Sequence, residues 1–343
     1  GRFRWAEVRH NQLTEQQRLA ISKLPFKMPR RCKAVMRQLI CFSPEKGSLD
    51  EVLDGWVSIM KPERCDWLAV LKQLDRTGHP FYTEVAELAL LQESFEANVR
   101  DYTKLIHYYG KQSRLQDAEN AFLAMKERGF VCDQVTLTAF VHLYSKAGNL
   151  KRAEETFEDL KLLGEPLDSR SYGSIIMAYI RAGMPDKGEA IILELDDLEI
   201  RIGSEVYKAL LRAYSMAGDC EGAQRMFNAI QFVGIPPDEK VCGLLINAYQ
   251  MAGETENARV VFDNMKKAGL EPNDKCVALL LAAYEKEEKL NEALDLLVDL
   301  EKEGTLIGKE ASEILAKWLG RLGVLQEVER VLREYTTSDV LAR

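Results

Sequence analysis

Residues 134–168 read QVTLTAFVHLYSKAGNLKRAEETFEDLKLLGEPLD and form one complete copy of a unit that the chain repeats every 35 residues. Tyr144 in this stretch belongs to a column of tyrosines that recurs at the same spacing without a gap. The members of the column are Tyr109, Tyr144, Tyr179, Tyr214, Tyr249 and Tyr284. A fixed period of this length is typical of stacked copies of one supersecondary unit, so we predict a repeat array.

Two further columns keep the register of the tyrosines. One holds small residues: Ala118, Ala153, Gly188, Ala223, Ala258 and Ala293. The other holds large apolar residues: Phe122, Phe157, Ile192, Phe227, Phe262 and Leu297. Small side chains allow two helices to approach closely, whereas large ones fill the space between units. We therefore interpret the tyrosines as core residues and not as a ligand-binding set.

The apolar residues within one unit follow the period of a helix. In residues 134–168 they occupy positions i, i+3, i+4 and i+7, namely Leu137, Phe140, Val141 and Tyr144. Gly148 ends this helix, and a second helix is predicted from residue 150 to 162, before Gly164 and Pro166 interrupt the pattern. Each unit is thus predicted to be an antiparallel helical hairpin. Since one hairpin cannot bury its apolar face alone, we predict an all-α, right-handed superhelical solenoid.

The repeat pattern divides the chain into four predicted segments. Degenerate copies of the unit flank the regular ones. Solenoids commonly have such polar terminal units, which cover the ends of the core. Helices are predicted over 31–42 and 49–60, before a degenerate unit at 64–98, and over 310–319 and 325–336 at the other end. The segments are a basic N-terminal segment (1–28), an N-terminal helical cap with the degenerate repeat (29–98), six regular repeats (99–308) and a degenerate C-terminal hairpin cap (309–343). The six regular repeats start at residues 99, 134, 169, 204, 239 and 274.

Composition restricts the function. The net charge of −8 argues against a non-specific nucleic-acid binder, and no apolar stretch is long enough to span a membrane. The seven cysteines are scattered and never spaced as CxxC. This pattern indicates reduced thiols in an intracellular or organellar compartment and not a disulfide or zinc framework. The sequence begins at Gly1, so no targeting peptide is visible in it.

No catalytic constellation is apparent in the sequence. His107 and His142 occupy the same repeat position, and His10 and His79 are isolated. The combination of His-x-Glu with Cys-x-x-Cys that is typical of deaminases does not occur. Acidic residues lie on predicted helix faces without the spacing of metal ligands. We therefore expect no enzymatic activity, no metal and no cofactor.

Four short motifs indicate the kind of repeat. They are DYTKLI (101–106), YSKAG (144–148), ARVVF (258–262) and MKKAGLEPN (265–273). The eighth position of each unit is bulky, as at Ile106 and Val141, and the period is 35. Tetratricopeptide repeats instead have a period of 34 and a small residue at that position. The chain therefore resembles the pentatricopeptide repeat (PPR) family, strongly over residues 99–308 and weakly over most of the rest.

The resemblance implies an organellar protein that binds single-stranded RNA with one base per repeat. In the family the fifth and the last residue of each repeat read the base, helped by the second. The corresponding pairs here are Thr103/Asp133, Thr138/Asp168, Gly173/Gly203, Lys208/Asp238, Gly243/Asn273 and Ala278/Gly308. In the family code, threonine with aspartate favours guanine, so a G-containing RNA is the expected partner.

The six pairs differ in what they offer to a base. A carboxylate only accepts hydrogen bonds, so Asp133 and Asp168 suit guanine or uracil, whose edges carry N–H donors. A role as interhelical caps alone is the alternative for these two aspartates. Lys208 is expected to pair with Asp238, and Asn273 retains one amide. Two of the other pairs consist of Gly or Ala only, so the array is predicted to be a reader of limited specificity.

Cations at the thirteenth position of the repeats form a second candidate set. The family uses lysine there for the RNA backbone, and the column here reads Lys111, Lys146, Arg181, Met216, Met251 and Lys286. We predict that the four cations follow successive phosphates. The alternative is a solvated helix end, where a cation suits the helix dipole. Residues 1–40 add ten Lys/Arg against two acidic residues, which fits either a solvated leader or a basic arm near the RNA.

A narrower resemblance concerns the biological role. The short chain and its worn repeats are similar to the thylakoid-assembly group of short PPR proteins, plant proteins that assist chloroplast group II intron splicing. The resemblance implies transcript processing, with splicing as the particular step, in the chloroplast or alternatively in the mitochondrion. The implied partners are RNA, other splicing factors and a second copy of the chain, without a membrane. A helical-repeat scaffold for protein–protein assembly is the alternative, suggested by the acidic charge and the degenerate pairs.

Overall fold

The computed structural model describes residues 13–43, 45, 47–197, 200–305 and 307–323. Within these ranges all regular secondary structure is helical, as the repeat pattern predicts. The α-helices are α1 (Glu15–Ser22), α2 (Arg30–Cys41), α3 (Leu49–Met60), α4 (Arg64–Thr77), α5 (Tyr82–Leu91), α6 (Val99–Lys111), α7 (Leu115–Glu127), α8 (Gln134–Lys146), α9 (Leu150–Leu162), α10 (Ser169–Arg181), α11 (Pro185–Asp197), α12 (Ser204–Ala217), α13 (Cys220–Phe232), α14 (Glu239–Ala252), α15 (Thr255–Lys267), α16 (Asp274–Lys286), α17 (Leu290–Lys302) and α18 (Lys309–Arg321). A 3-10 turn at Glu93–Phe95 lies between α5 and α6. None of the helices in these ranges is long and apolar enough to cross a membrane.

The six regular repeats correspond to the helical hairpins α6/α7, α8/α9, α10/α11, α12/α13, α14/α15 and α16/α17. The first helix of each hairpin begins at the first residue of its repeat, so the period of the sequence also sets these helix boundaries. The helices predicted over 31–42, 49–60 and 310–319 are found as α2, α3 and α18. The helix predicted over 325–336 and the first twelve residues of the basic segment lie outside the described residues.

The turn between the two helices of a hairpin needs a residue in the left-handed conformation. In the fourth repeat this residue is Gly218, with φ at 72°. The first and the sixth repeat place Ser113 (φ 59°) and Glu288 (φ 57°) at the same position. A residue with a Cβ loses about 1 kcal/mol in this conformation, whereas glycine does not. These two turns are therefore strained relative to those that contain glycine.

The chain divides into two compact units. One comprises residues 1–147 and 158–164, and the other comprises residues 148–157 and 165–343. In the first unit the buried rings of Trp56 and Trp67 pack edge to face, with their centroids 4.8 Å apart. In the second unit one cluster of buried apolar residues connects α10 to α18. Each unit therefore has a buried core of its own.

A buried carboxylate holds the first helices of the chain together. Asp66 of α4 is 1% exposed, and one of its oxygens lies 2.8 Å from Arg31 Nε of α2. The Cys32 thiol donates to the other oxygen of Asp66 at 3.3 Å, and Trp56 donates its indole N–H to Arg31 O at 2.9 Å. Two causes raise the pKa of Cys32 to about 12: burial, which is the larger, and the hydrogen bond to Asp66. Arg31, one of the ten cations of residues 1–40, is thus engaged within the protein.

Five of the six tyrosines of the column are buried, and Tyr179 is half-buried. Tyr214 is fully buried and Tyr249 is 9% exposed. Tyr144 donates its hydroxyl to Glu119 at 2.8 Å, and Tyr249 donates to Gln224 at 2.7 Å. Both acceptors belong to the second helix of the repeat before. The column therefore fills space and links neighbouring hairpins.

Candidate nucleic-acid interface

The last residue of each repeat lies at the N-terminus of the next first helix. Asp133 caps α8, because its Oδ1 accepts the N–H of Thr136 at 2.8 Å and the Thr136 hydroxyl at 2.6 Å. Asp168 caps α10 in the same way and accepts the N–H and the hydroxyl of Ser171, both at 2.9 Å. Both carboxylates are therefore helix caps through Oδ1, and Oδ2 takes part in neither pair of bonds.

The surroundings keep two of the capping aspartates ionised. Burial alone raises the pKa of Asp168, but hydrogen bonds from Ser171 and the nearby Arg170 bring it below its ordinary value. Burial likewise raises the pKa of Asp238, and the N–H of Val241 with the charge of Lys208 lowers it by more. Each of these side chains is a charged acceptor at neutral pH.

Thr103 is held within the protein and is only 5% exposed. Its hydroxyl oxygen lies 2.9 Å from Val99 O and 2.7 Å from Thr136 Oγ1. Thr136, which is 0% exposed, thus joins Thr103 to Asp133. The structure brings the members of the first predicted pair together through a residue that the sequence analysis did not single out. The sequence does contain a signal for Thr136. It lies three positions after Asp133, which is the spacing between a capping residue and the helix residue that donates its N–H to the cap.

The predicted pairing between Lys208 and Asp238 is present in the structure. Lys208 Nζ lies 3.4 Å from Asp238 Oδ2, while Asp238 Oδ1 accepts the N–H of Val241 at 2.8 Å. The side chains of Lys208 and Asp238 are 33% and 51% exposed. An ion pair with this much contact with water contributes little to stability, about 0–1 kcal/mol, so a ligand can displace it at small cost.

The last residues of the fifth and the sixth repeat differ. Asn273 accepts a backbone N–H of α16 at 3.0 Å and donates its amide to Glu239 at 3.3 Å. Gly308 has no side chain, and Asp274 supplies the missing cap by accepting the N–H of Glu310 in the first turn of α18 at 2.8 Å, together with the N–H of Gly308 at 2.8 Å. A Cβ added at Gly308 would lie 2.5 Å from Asp274 Cγ. The sixth repeat therefore has no room for a base-reading side chain at its last position.

The four cations of the thirteenth position lie in the last turn of α6, α8, α10 and α16, and all four are exposed. Lys111 and Lys146 belong to the first compact unit, and Arg181 and Lys286 belong to the second. Lys286 donates to Met251 O, the backbone of the same position one repeat earlier, at 3.3 Å. These positions suit both a phosphate contact and the negative end of the helix dipole.

One polar cluster lies apart from the predicted set. Glu189 is 8% exposed and accepts a hydrogen bond from the Tyr214 hydroxyl. Its carboxylate also accepts two hydrogen bonds from Arg225, from Nε at 2.7 Å and from Nη2 at 3.0 Å. Burial raises the pKa of Glu189, but Arg225 and Tyr214 bring it below its ordinary value. The cluster joins α11, α12 and α13 and is interpreted as structural. In the ranges that the structure describes, no group of side chains has the arrangement of a metal site.

Two family models match the chain. The model for the pentatricopeptide repeat domain matches residues 124–180 and 231–287, and the model for the PPR repeat matches residues 101–130, 170–200 and 205–235. A pentatricopeptide repeat-containing protein of Arabidopsis thaliana is 72% identical over 337 residues, which cover 98% of this chain and 82% of the relative.

One solved structure supports the same fold, a helical repeat array. The crystal structure of the pentatricopeptide repeat protein PPR10 from maize matches with a TM-score of 0.63 at 22% identity, over 93% of this chain and 48% of PPR10. This chain thus spans about half the length of PPR10. PPR10 in complex with an 18-nt psaJ RNA element matches with a TM-score of 0.48 at 15% identity, over 94% of this chain and 57% of that one. The likeness to the first of these structures confirms that the fold is a helical repeat solenoid. The matched models and the 72% identical relative show that the chain belongs to the pentatricopeptide repeat family.

Proposed function

We propose that the chain binds single-stranded RNA of an organelle, one base per repeat, and acts in transcript processing. Membership of the family supports this proposal, and one observation carries it. Thr103 and Asp133, the fifth and the last residue of the first repeat, are joined through Thr136, while the cap leaves Asp133 Oδ2 unused. A base-reading pair needs these two side chains close together with an acceptor to spare.

The two threonine–aspartate pairs are proposed to select guanine. A carboxylate accepts hydrogen bonds, and the Watson–Crick edge of guanine carries two neighbouring donors, N1–H and the N2 amino group. Adenine and cytosine have an unprotonated ring nitrogen at the corresponding place and therefore suit a carboxylate poorly. Thr103/Asp133 and Thr138/Asp168 belong to consecutive repeats. Two neighbouring guanines are therefore the proposed centre of the target.

The later repeats are proposed to add affinity with little base selection. Asp238 is paired with Lys208, and Asn273 with Glu239, so a base must compete with existing partners. The sixth repeat has Ala278 and Gly308, neither of which has a polar side chain. Limited specificity follows from these pairs.

Phosphate contacts are assigned to the cations of the thirteenth position. Lys111, Lys146, Arg181 and Lys286 recur at the same place in their repeats and are exposed at helix ends. A single strand that loses about four counterions on binding gives a slope of log K against log salt of roughly −3. Such contacts set the register and the affinity without reading the sequence.

Group II intron splicing in the chloroplast is the specific role that we propose, with the mitochondrion as the alternative compartment. The similarity to short plant splicing factors of the family supports this choice, and the Arabidopsis relative supports a plant origin. Other splicing factors and a second copy of the chain are proposed as further partners. No catalytic step by this chain is part of the proposal.

Binding titrations with the purified chain test the proposal directly. Labelled single-stranded RNAs that contain GG, AA, UU or CC in a common flanking sequence are titrated at several salt concentrations. We expect the tightest binding to GG and a falling affinity as salt rises. Crosslinking of the chain to RNA in the organelle, followed by sequencing, then identifies the transcript and its distance from an intron.

A protein–protein scaffold is the second candidate function. The net charge of −8 and the mutual neutralisation of Lys208 and Asp238 favour it, because both disfavour contact with a polyanion. Absence of binding to every RNA at low salt contradicts the RNA proposal and favours the scaffold.

A further inference from the structure

Two threonine hydroxyls and a carboxylate form a row at the first base-reading pair. Thr103 Oγ1 lies 2.7 Å from Thr136 Oγ1, which lies 2.6 Å from Asp133 Oδ1. Thr103 Oγ1 also lies 2.9 Å from the carbonyl oxygen of Val99. Both threonines are buried, at 5% and 0% exposure. The row thus has three short contacts and only two hydroxyl hydrogens.

The chemistry of the acceptors decides where these two hydrogens go. An ionised carboxylate cannot donate, and hydrogen bonds to it are stronger than neutral ones, so Thr136 donates to Asp133. The Thr136 oxygen is then left as an acceptor for the contact at 2.7 Å, which requires the hydrogen of Thr103. The contact of Thr103 Oγ1 with Val99 O is longer, at 2.9 Å, and Val99 O already accepts a helical N–H in the first turn of α6. Both hydroxyls consequently donate toward the carboxylate.

We infer that Thr136 is a positioning residue for base selection, because it makes Thr103 an acceptor toward the RNA. The inference rests on the proposed function and deepens it. With its hydrogen turned toward Thr136, Thr103 joins Asp133 Oδ2 in offering acceptors only. Two acceptors match the neighbouring N1–H and N2 amino donors of guanine. Uracil has one N–H between two carbonyl oxygens, so an acceptor beside the carboxylate faces an oxygen and is repelled.

The other repeats provide an internal comparison. The third position has a hydroxyl residue in the repeats that follow Asp133 and Asp168, namely Thr136 and Ser171. Ser171 is 0% exposed and donates its hydroxyl to Asp168 at 2.9 Å. After Asp238 the same position holds Val241, which donates only its backbone N–H to the capping carboxylate of Asp238. The buried hydroxyl therefore accompanies the two threonine–aspartate pairs, and valine is a native occupant of the same site.

The test compares Thr136→Val with Thr136→Ser. Valine preserves shape and removes the hydroxyl, so the Thr103 hydrogen loses Thr136 as its acceptor and can turn either to Val99 O, at 2.9 Å, or outward to a uracil oxygen. Serine keeps the hydroxyl and is the conservative control. RNAs carrying GG, GU, UG and UU at the two central positions are titrated against the full chain, and thermal unfolding checks that each variant is folded.

We expect T136V to lower the guanine-to-uracil affinity ratio about fivefold at one of the two positions, the effect of one ordinary hydrogen bond. The guanine-to-uracil affinity ratio at the other position, assigned to the Asp168 pair, should not change. In T136S the ratio should be unchanged at both positions. A T136V variant that weakens guanine and uracil equally has lost only structure and overturns the inference. A parent chain that binds RNA without distinguishing guanine from uracil overturns it as well, while RNA binding stands. A parent that binds none of the strands overturns the proposed function together with the inference.

Discussion

Single carboxylates at helix N-termini combine a structural task with a second one in the proposed function. Asp133 and Asp168 hold the first turn of a helix through Oδ1, and in the proposed function they read a base through Oδ2. A substitution that keeps the cap while changing the second oxygen separates the tasks. Asparagine does so, because its side-chain oxygen caps a helix about as well as aspartate.

Changing both Asp133 and Asp168 to Asn is expected to move base preference away from guanine. The amide brings an N–H donor to the base and removes the negative charge, so bases with an acceptor at that place gain. Each lost guanine contact costs about 1 kcal/mol of binding free energy. Titrations over GG, AA, UU and CC strands measure the change. Asp238→Asn is the control, since that aspartate has no threonine partner, and an unchanged preference in the double variant contradicts the code.

Glu189 is expected to make stability depend on pH in the acid range. Its pKa is lowered below the ordinary value of 4.5, so its contribution is complete above that pH and disappears as pH falls through the folded-state value. Urea unfolding of Glu189→Gln at pH 7 should show a loss of about 1 kcal/mol, since Arg225 remains half exposed to water. The variant should also lose less stability than the parent between neutral pH and pH 4. Glu155→Gln, at a side chain 60% exposed, is the control and should behave as the parent does.

At the scale of elements, most first helices of the repeats have a side-chain cap, whereas α12 follows Gly203 and has none. Most of these caps come from the residue immediately before the helix, as with Asn98 before α6 and Asp238 before α14. Helix α18 is different, because Gly308 has no side chain and Asp274 of α16 takes its place. The end of the regular array is thus tied to its last repeat by a tertiary cap.

Asp274→Ala is expected to loosen α18. Loss of an N-terminal cap costs about 1 kcal/mol, which corresponds to roughly fivefold faster hydrogen exchange of the α18 amides. Hydrogen exchange followed by mass spectrometry localises the effect to α18. Asp274→Asn retains an acceptor oxygen, so most α18 amides should keep their protection against hydrogen exchange. Equal protection of α18 in the parent and in the alanine variant would falsify the assigned cap.

At the scale of the whole molecule, the charge is unevenly distributed. The net charge is −8, yet residues 1–40 contain ten Lys/Arg and the thirteenth position adds four cations. Long-range attraction for RNA is therefore weak, and binding must rely on cations at defined places. This makes the salt dependence a direct measure of those places.

Replacing Lys111, Lys146, Arg181 and Lys286 with Ala is expected to weaken RNA binding and to flatten the salt slope from roughly −3 toward zero. Base preference should be retained, because phosphate contacts do not specify sequence. Titrations of GG and AA strands at several salt concentrations measure both quantities. The control removes the same charge from exposed lysines of the second helices: Lys126, Lys151, Lys161 and Lys302. If both variants show the same slope, the thirteenth position is not the phosphate-binding set.

The sequence by itself determined the period and the type of the repeats. The period of 35 placed Tyr144 and its equivalents in the core, and helix boundaries followed because caps and left-handed turns are local signals. The candidate base-reading positions also came from the period, through the family resemblance. What a side chain does at those positions was decided by the tertiary structure. Thr136 stands 33 residues from Thr103, and Asp274 stands 34 residues from Gly308. Such partners meet only when neighbouring hairpins stack, and no pattern within one repeat records which hydroxyl or carboxylate the next repeat places against it.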